Sequence, residues 1–329
     1  MKRIPQNIVL FFILSMCFFS SAYAEEIRVV PIGKAVGIKI YTDGLLVIGT
    51  SEVNGENAAK KCGIKVNDRI TEANGEAVET SERFAQIVNE HPDGINIKVV
   101  RDNQNIEINA VPVLAEDNIY RLGLWVRDST AGIGTVTYYD PSSKAFAALG
   151  HAINDVDTGN ILSVKSGNIL NCDILSVTKS EKGNPGEING TFEGDIIGDL
   201  SVNSQIGVFG KMTSNEFSDL NDAIPVAAKG QVQEGDAYIL SDAFGNNTEQ
   251  YSIKISKITN EADKGLVIEI TDDRLIEMTG GIVQGMSGSP IIQNGRLVGA
   301  VTHVFVNNPT KGYGTLAENM IDMQTKAGL

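Results

Sequence analysis

The feature that most narrows the possible folds is a recurrence of short runs rich in Val, Ile and Thr, each closed by a single Gly or Asn, along most of the chain. β-Branched side chains lose freedom in a helix and pack well on a pleated surface, while Gly and Asn accept the left-handed backbone angles of tight turns. The 34 glycines therefore read as turn punctuation, and the expected fold is mainly β. A chain of 329 residues is also longer than one core usually serves, so two domains are expected.

The front unit, residues 30–114, reads as mixed α and β. Runs at 35–40 and 45–49 flank Asp43-Gly44, a pair suited to a hairpin turn, and a short helix over 57–62 should stop at Gly63. Asn74-Gly75 marks a second hairpin, and Asp102-Asn103 a third between alternating Ile95, Ile97, Val99 and Ile106, Ile108. A helix capped by Thr80 places Phe84, Ile87 and Val88 on one face. Residues 112–118 read as a linker. In the rear unit, 115–329, strands are expected at 122–126, 133–139, 146–149, 161–164, 205–209, 238–240, 251–258, 266–270, 290–292 and 297–306, with a helix only at 316–326.

Lys2 and Arg3, an apolar run from Ile8 to Phe19, and Ala22-Tyr23-Ala24 before Glu25 have the layout of an export signal over residues 1–24, or of a retained membrane anchor. The formal charge of −14 opposes binding to phosphate backbones, so no nucleic-acid partner is expected. Cys62 and Cys172 fall in different units and read as unpaired, inert thiols. The three histidines, His91, His151 and His303, do not form a metal-ligand pattern, and neither a metal nor another cofactor is expected.

The segment Gly285-Met286-Ser287-Gly288-Ser289-Pro290 has the form Gly-x-Ser-Gly-x-Pro, followed by two strands about Asn294-Gly295. Small residues around a serine on a tight turn let backbone N–H groups converge where the oxyanion of acyl transfer develops. Ser287 is the expected nucleophile, with the N–H groups of Gly285 and Ser287 as oxyanion donors. Ser289 occupies a variable place in such motifs. A serine needs a base, and His151, at the end of an apolar strand among small residues, is the best placed. His303, inside an apolar strand, reads as a wall of the core or pocket. Asp155, Asp157, Asp195, Asp199, Asp272 and Asp273 all remain open as the residue that orients the imidazole.

Two resemblances sharpen this reading. The run Ala58-Ala59-Lys60-Lys61-Cys62-Gly63-Ile64-Lys65-Val66-Asn67-Asp68-Arg69-Ile70 with Asn74-Gly75 resembles a bacterial PDZ domain, with Asn67 where the family has Gly. That resemblance implies a peptide C-terminus, or a segment of the chain itself, added beside Val36, Gly37, Ile38 and Ile40 with Phe84 and Val88 as the opposite wall. Gly150-His151-Ala152-Ile153-x-Asp155, then 183–188, then 281–295 and 300–307, resemble the SpoIVB family of sporulation signalling peptidases. It implies a PDZ domain followed by a trypsin-like double β-barrel, and a triad of His151, Asp272 and Ser287. It further implies a substrate that is a membrane-bound regulator of an intramembrane metalloprotease, self-cleavage, and action between forespore and mother cell. The rival expectations are an envelope quality-control protease, though in that class the PDZ domain follows the peptidase, and a non-catalytic PDZ scaffold.

Overall fold

The computed structural model describes residues 26–192, 194–217, 223–245 and 247–329, so the expected export segment lies outside the described residues. Its organising element is a pair of long antiparallel strands, Arg28–Thr50 and Leu124–Asp140, which stay in register from Val30↔Tyr139 to Thr50↔Leu124 across three irregularities. The hairpin expected at Asp43-Gly44 is not formed. Because one partner strand spans both runs, the chain continues in the same direction, and Gly44 absorbs the irregularity at φ 88° with Ile70 O where a Cβ would stand.

The lower halves of these two strands build a first barrel. Around it run Ser166–Asn171, Ile196–Ser204, Gly207–Met212, Ala145–Ala148, Leu124–Asp140 and Arg28–Thr50, and the circle closes where Val36–Tyr41 pairs with 166–171. Its core is Val36, Ile38, Ile40, Val136, Phe146, Ile169 and their neighbours, all essentially inaccessible. The second barrel is closed by Gly235–Ser241, Glu249–Ile258, Leu266–Ile270, Asn308–Leu316, Arg296–Phe305 and Pro290–Gln293 around Ile239, Ile253, Ile255, Leu266 and Ile268. Tyr138, Phe209, Ala300 and Met320 pack between the two, with the Tyr138 hydroxyl donating to Gln324 Oε1 at 2.9 Å from the last helix, Ala317–Lys326. The double barrel follows the sequence expectation. The strand expected at 161–164 does not form beyond a bridge between Asn154 and Ile161.

The upper halves of the same two strands enter the front unit, whose core holds Leu45, Val47, Ile70, Phe84, Ile87, Val88, Ile97 and Val99. Helix Ala58–Cys62 is capped by Asn57 and stopped by Gly63 at φ 90°, and helix Ser81–Glu90 is capped by Thr80, as their sequences dictate. Asn67 does adopt positive φ, and Asp102 and Asn103 make the hairpin between Ile95–Arg101 and Gln104–Ala110. The expected boundary at residue 30 does not coincide with the packing: residues 30–40 belong to the first barrel, and the front unit lies between two of that barrel's strands.

The front core depends on one buried ion pair. The Asp68 carboxylate is inaccessible and accepts from Arg101 Nε and Nη2, both at 2.6 Å, and from Lys65 N at 2.8 Å. Removing one partner of such a pair strands a buried charge, so Arg101→Met is expected to destabilise this unit by about 3 kcal/mol. Urea unfolding followed by the fluorescence of Trp125 measures it.

Candidate active site

The serine turn is shaped by backbone contacts that leave no room for side chains. Gly285 and Gly288 sit at φ 98° and 99°, and a Cβ on Gly288 would stand 2.0 Å from Thr135 O and 2.6 Å from Leu149 N. Thr135, buried in the first barrel, holds the turn at two points: its hydroxyl donates to Gly285 O at 2.7 Å and its N–H to Ser287 O at 2.9 Å. From the other side Gln284 N donates to Gly186 O at 2.7 Å and Ile188 N to Gln284 O at 2.8 Å, so the segment 183–188 braces the loop. Ser180 secures that brace, donating through Oγ to Ile282 O and accepting from Gly186 N, each at 2.8 Å. Among the described residues no acceptor meets the N–H of Gly285 or of Ser287.

His151 follows a turn in which Leu149 and Gly150 both take left-handed angles, φ 68° and 69°. A bulky residue there is uncommon and strained, and it turns the chain out of strand Ala145–Ala148 toward the serine loop. His151 and Ser287 line the same cavity of about 490 Å³ between the barrels, with His303, Gln284 and apolar walls from Ile133, Leu149 and Val283. The Nδ1 atom of His151 lies 2.8 Å from Ala152 O. A carbonyl only accepts, so Nδ1 carries the proton and Nε2 presents a lone pair. Burial lowers the His151 pKa below its ordinary range and so favours the neutral ring, and the bond to Ala152 O, which favours the protonated ring, opposes part of that shift. The Ser287 hydroxyl donates to Thr302 O at 2.7 Å.

The resemblance placed Asp272 beside His151, and the structure does not bring them together. Asp272 caps helix Asp273–Thr279, accepting from Arg274 N and Nε at 3.0 and 3.1 Å and from Ser252 N, and it pairs with Arg274 Nη2 at 3.0 Å. These bonds hold its pKa low. Asp155 closes the loop after His151 by accepting from Asp157 N and Thr158 N, with Arg127 Nε 3.2 Å from its second oxygen. Among the described residues no carboxylate lines the cleft. Ser289 is fully buried and Ser287 only half-buried. His303 forms the cleft wall with its ring 4.6 Å from that of His151. Cys62 and Cys172 are free and half-buried, and burial pushes the Cys172 thiol up to about 11.

The expected peptide edge at Val36, Gly37, Ile38 and Ile40 is also corrected. One side of that stretch pairs with Gly134, Ile133, Gly132 and Thr130 and the other with Asn171, Leu170, Ile169 and Gly167, so both edges are used in closing the barrel. Phe84 and Val88 line a different groove, whose other wall is Leu124–Val126. Thr135 and Thr302 escaped sequence reasoning because threonines are ordinary strand residues, and only the fold places one behind the turn and the other's carbonyl before the serine.

The SpoIVB peptidase S55 family model matches residues 118–321. The chain belongs to that family. It is a serine endopeptidase acting on protein substrates, and a PDZ domain model matches residues 27–111. No curated protein matches the chain. Among solved structures it is similar to a protease from M. tuberculosis in its active form, at 15% identity over 61% of this chain and 75% of that one, with a TM-score of 0.33. A thermostable serine protease from an extremophilic microorganism matches at 10% identity over 61% and 91%, with a TM-score of 0.34. The PDZ domain of the SdrC-like protein from Listeria monocytogenes matches at 20% identity over 26% and 87%, with a TM-score of 0.22.

Two outcomes follow for this S55 peptidase. Asp272→Ala should cost about 1 kcal/mol through loss of a helix cap, measured by thermal unfolding, while the lower pH midpoint of activity stays where the parent has it. Loss of water on its cleft side, then His151 and Lys264, push His303 down to about 4 although its outer side is exposed. Its unfolded value is about 6.5, so the chain takes up a proton on unfolding inside that window, and stability falls as pH drops from about 6.5 toward about 4. His303→Gln should flatten that part of a denaturant-midpoint profile against pH.

Proposed function

We propose that this protein is an exported signalling peptidase of endospore formation. It cuts a membrane-bound regulator that restrains an intramembrane metalloprotease, releasing maturation of a late sigma factor, and it also cuts itself. It acts in the space between forespore and mother cell, delivered there by residues 1–24. Membership of the S55 family supports the biological setting. The observation that carries the chemistry is that His151 and Ser287 line one cleft between two barrels, with the imidazole lone pair free on Nε2.

In this reading the Ser287 hydroxyl leaves Thr302 O by rotation about its side-chain bond and is deprotonated by His151 Nε2 as Oγ attacks the scissile carbonyl. The oxyanion is received by the N–H groups of Gly285 and Ser287, fixed from behind by Thr135. His151 then returns the proton to the leaving amine, and water attacks the acyl-serine with His151 again as base. The apolar walls favour a substrate with an apolar side chain next to the cut.

Purified protein treated with a fluorophosphonate is expected to carry label on Ser287, and Ser287→Ala and His151→Ala are each expected to lower turnover on the order of 10⁶-fold. Self-cleavage on expression should vanish in both. Persistence of self-cleavage in Ser287→Ala would sink the nucleophile, whereas broad digestion of unfolded casein would replace signalling by quality control and leave the chemistry standing.

A further inference from the structure

The base is presented by a loop, and that loop is fastened at its neck and at its tip. His151 Nδ1 donates to the carbonyl of its own neighbour, Ala152, so the ring follows the direction of that peptide. The peptide is planar, and its other end, Ile153 N–H, donates to Asn203 Oδ1 at 2.9 Å. Asn203 Nδ2 in turn donates to Ile153 O and Leu162 O at 2.8 and 2.9 Å, which ties the two ends of segment 153–162 together. The tip is built around Asp155. Its N–H donates to Asn160 O at 2.9 Å, its carbonyl accepts from Gly159 N at 2.8 Å, and its Oδ1 accepts from Asp157 N and Thr158 N.

The second oxygen, Asp155 Oδ2, is served differently. The side chain is inaccessible and this atom accepts no hydrogen bond among the described residues, yet it lies 3.2 Å from Arg127 Nε. The same guanidinium grips Asp157 Oδ2 through Nη2, and only 23% of the Arg127 side chain is exposed. One cation from strand Leu124–Asp140 thus answers two carboxylates of the loop. A neutral bond from Asn160 Nδ2 to Asn67 Oδ1, at 2.9 Å, also reaches the tip from the front unit, but an exposed bond of that kind holds far less than the counter-charge of a buried carboxylate. Without the guanidinium, Asp155 recovers hydration only by swinging outward, and Ile153, two residues before it, moves as well. We propose that Arg127 is a positioning residue for the general base: by pairing with Asp155 and Asp157 it keeps the tip closed, and the closed loop aims the Ala152 carbonyl that orients His151. Resting on the reading of His151 as base, this gives strand Leu124–Asp140 a second part in the site, since Thr135 holds the nucleophile's turn and Arg127 holds the base's loop.

The full chain is tested with a small fluorophosphonate, whose second-order rate of attachment to Ser287 reports on the base without a protein substrate. That rate constant, unlike the extent of labelling, does not depend on the fraction of chain that is folded. Arg127→Met, which keeps the apolar stem, is expected to label at least about tenfold more slowly than the parent. Arg127→Lys, a point charge without the planar fork, should fall between the two. Arg127→Met with Asp155→Asn replaces the stranded charge by a neutral amide and is expected to return to within about threefold of the parent. Positioning also has a signature of its own: the His151 Nδ1 proton, hydrogen-bonded in the parent, should give a proton resonance downfield of the backbone amides that His151→Ala lacks. Arg127→Met should lose that resonance and the double variant regain it. The role of Arg127 is overturned by parental labelling in Arg127→Met, by slow labelling with the resonance intact, or by a double variant no faster than the single one. No label on the parent removes the base and nucleophile themselves, and this role with them.

Discussion

Everything else in this molecule depends on the antiparallel pairing of Arg28–Thr50 with Leu124–Asp140. Two strands of this length cannot be served by one small barrel, so each is used twice. Their lower halves supply adjacent staves of the first barrel, and their upper halves supply the front unit with Leu45, Val47, Leu124 and Val126. The PDZ-like unit is therefore not a bead on a linker. Two continuous backbones enter it from the catalytic barrel, in register, and a twist of one unit is transmitted as a twist of shared strands rather than as motion at a joint.

The same pairing reaches the chemistry. Thr135 stands on the second of these strands and binds the carbonyls of both Gly285 and Ser287 from the opposite barrel. Gly288 has no side chain because Thr135 O and Leu149 N occupy that space. The oxyanion donors are thus positioned by a strand of the first barrel, the base by the turn at Leu149-Gly150, and the nucleophile by the second barrel. A site assembled from elements far apart in sequence keeps its geometry only while the barrels stay docked through Tyr138, Phe209, Ala300 and Met320.

What the sequence made legible is what local chemistry determines. The caps at Asn57, Thr80 and Gly63, the turns at Asn74-Gly75 and Asp102-Asn103, the last helix, and the Gly-x-Ser-Gly-x-Pro turn are each specified by a few adjacent residues, and each formed. Asp43-Gly44 is an equally good local signal and failed, because a partner 76 to 100 positions away in the chain holds both flanking runs in one line. The peptide edge at Gly37–Ile40 failed for the same reason: nothing near it in sequence announces that Ser166–Asn171 will close a barrel on its far side. Helix Asp273–Thr279 was missed although Asp272 and Gly280 are ordinary cap residues, since the segment between them is one turn short of a readable period.

The environment of His151 carries the last consequence. The Ala152 carbonyl fixes the tautomer and the ring plane as an orienting carboxylate does, but a dipole offsets only part of the charge that appears when the imidazole takes up the serine proton. His303, 4.6 Å away, offers no counter-charge, and among the described residues no carboxylate lines the cleft. A base in such surroundings is well prepared to accept a proton and poorly compensated once it has done so. With the Ser287 hydroxyl turned to Thr302 O as well, the nucleophile must rotate about its side-chain bond toward Nε2 before it can give up its proton. The strand that holds the serine turn through Thr135 is the same one that gives Leu124 and Val126 to the front unit.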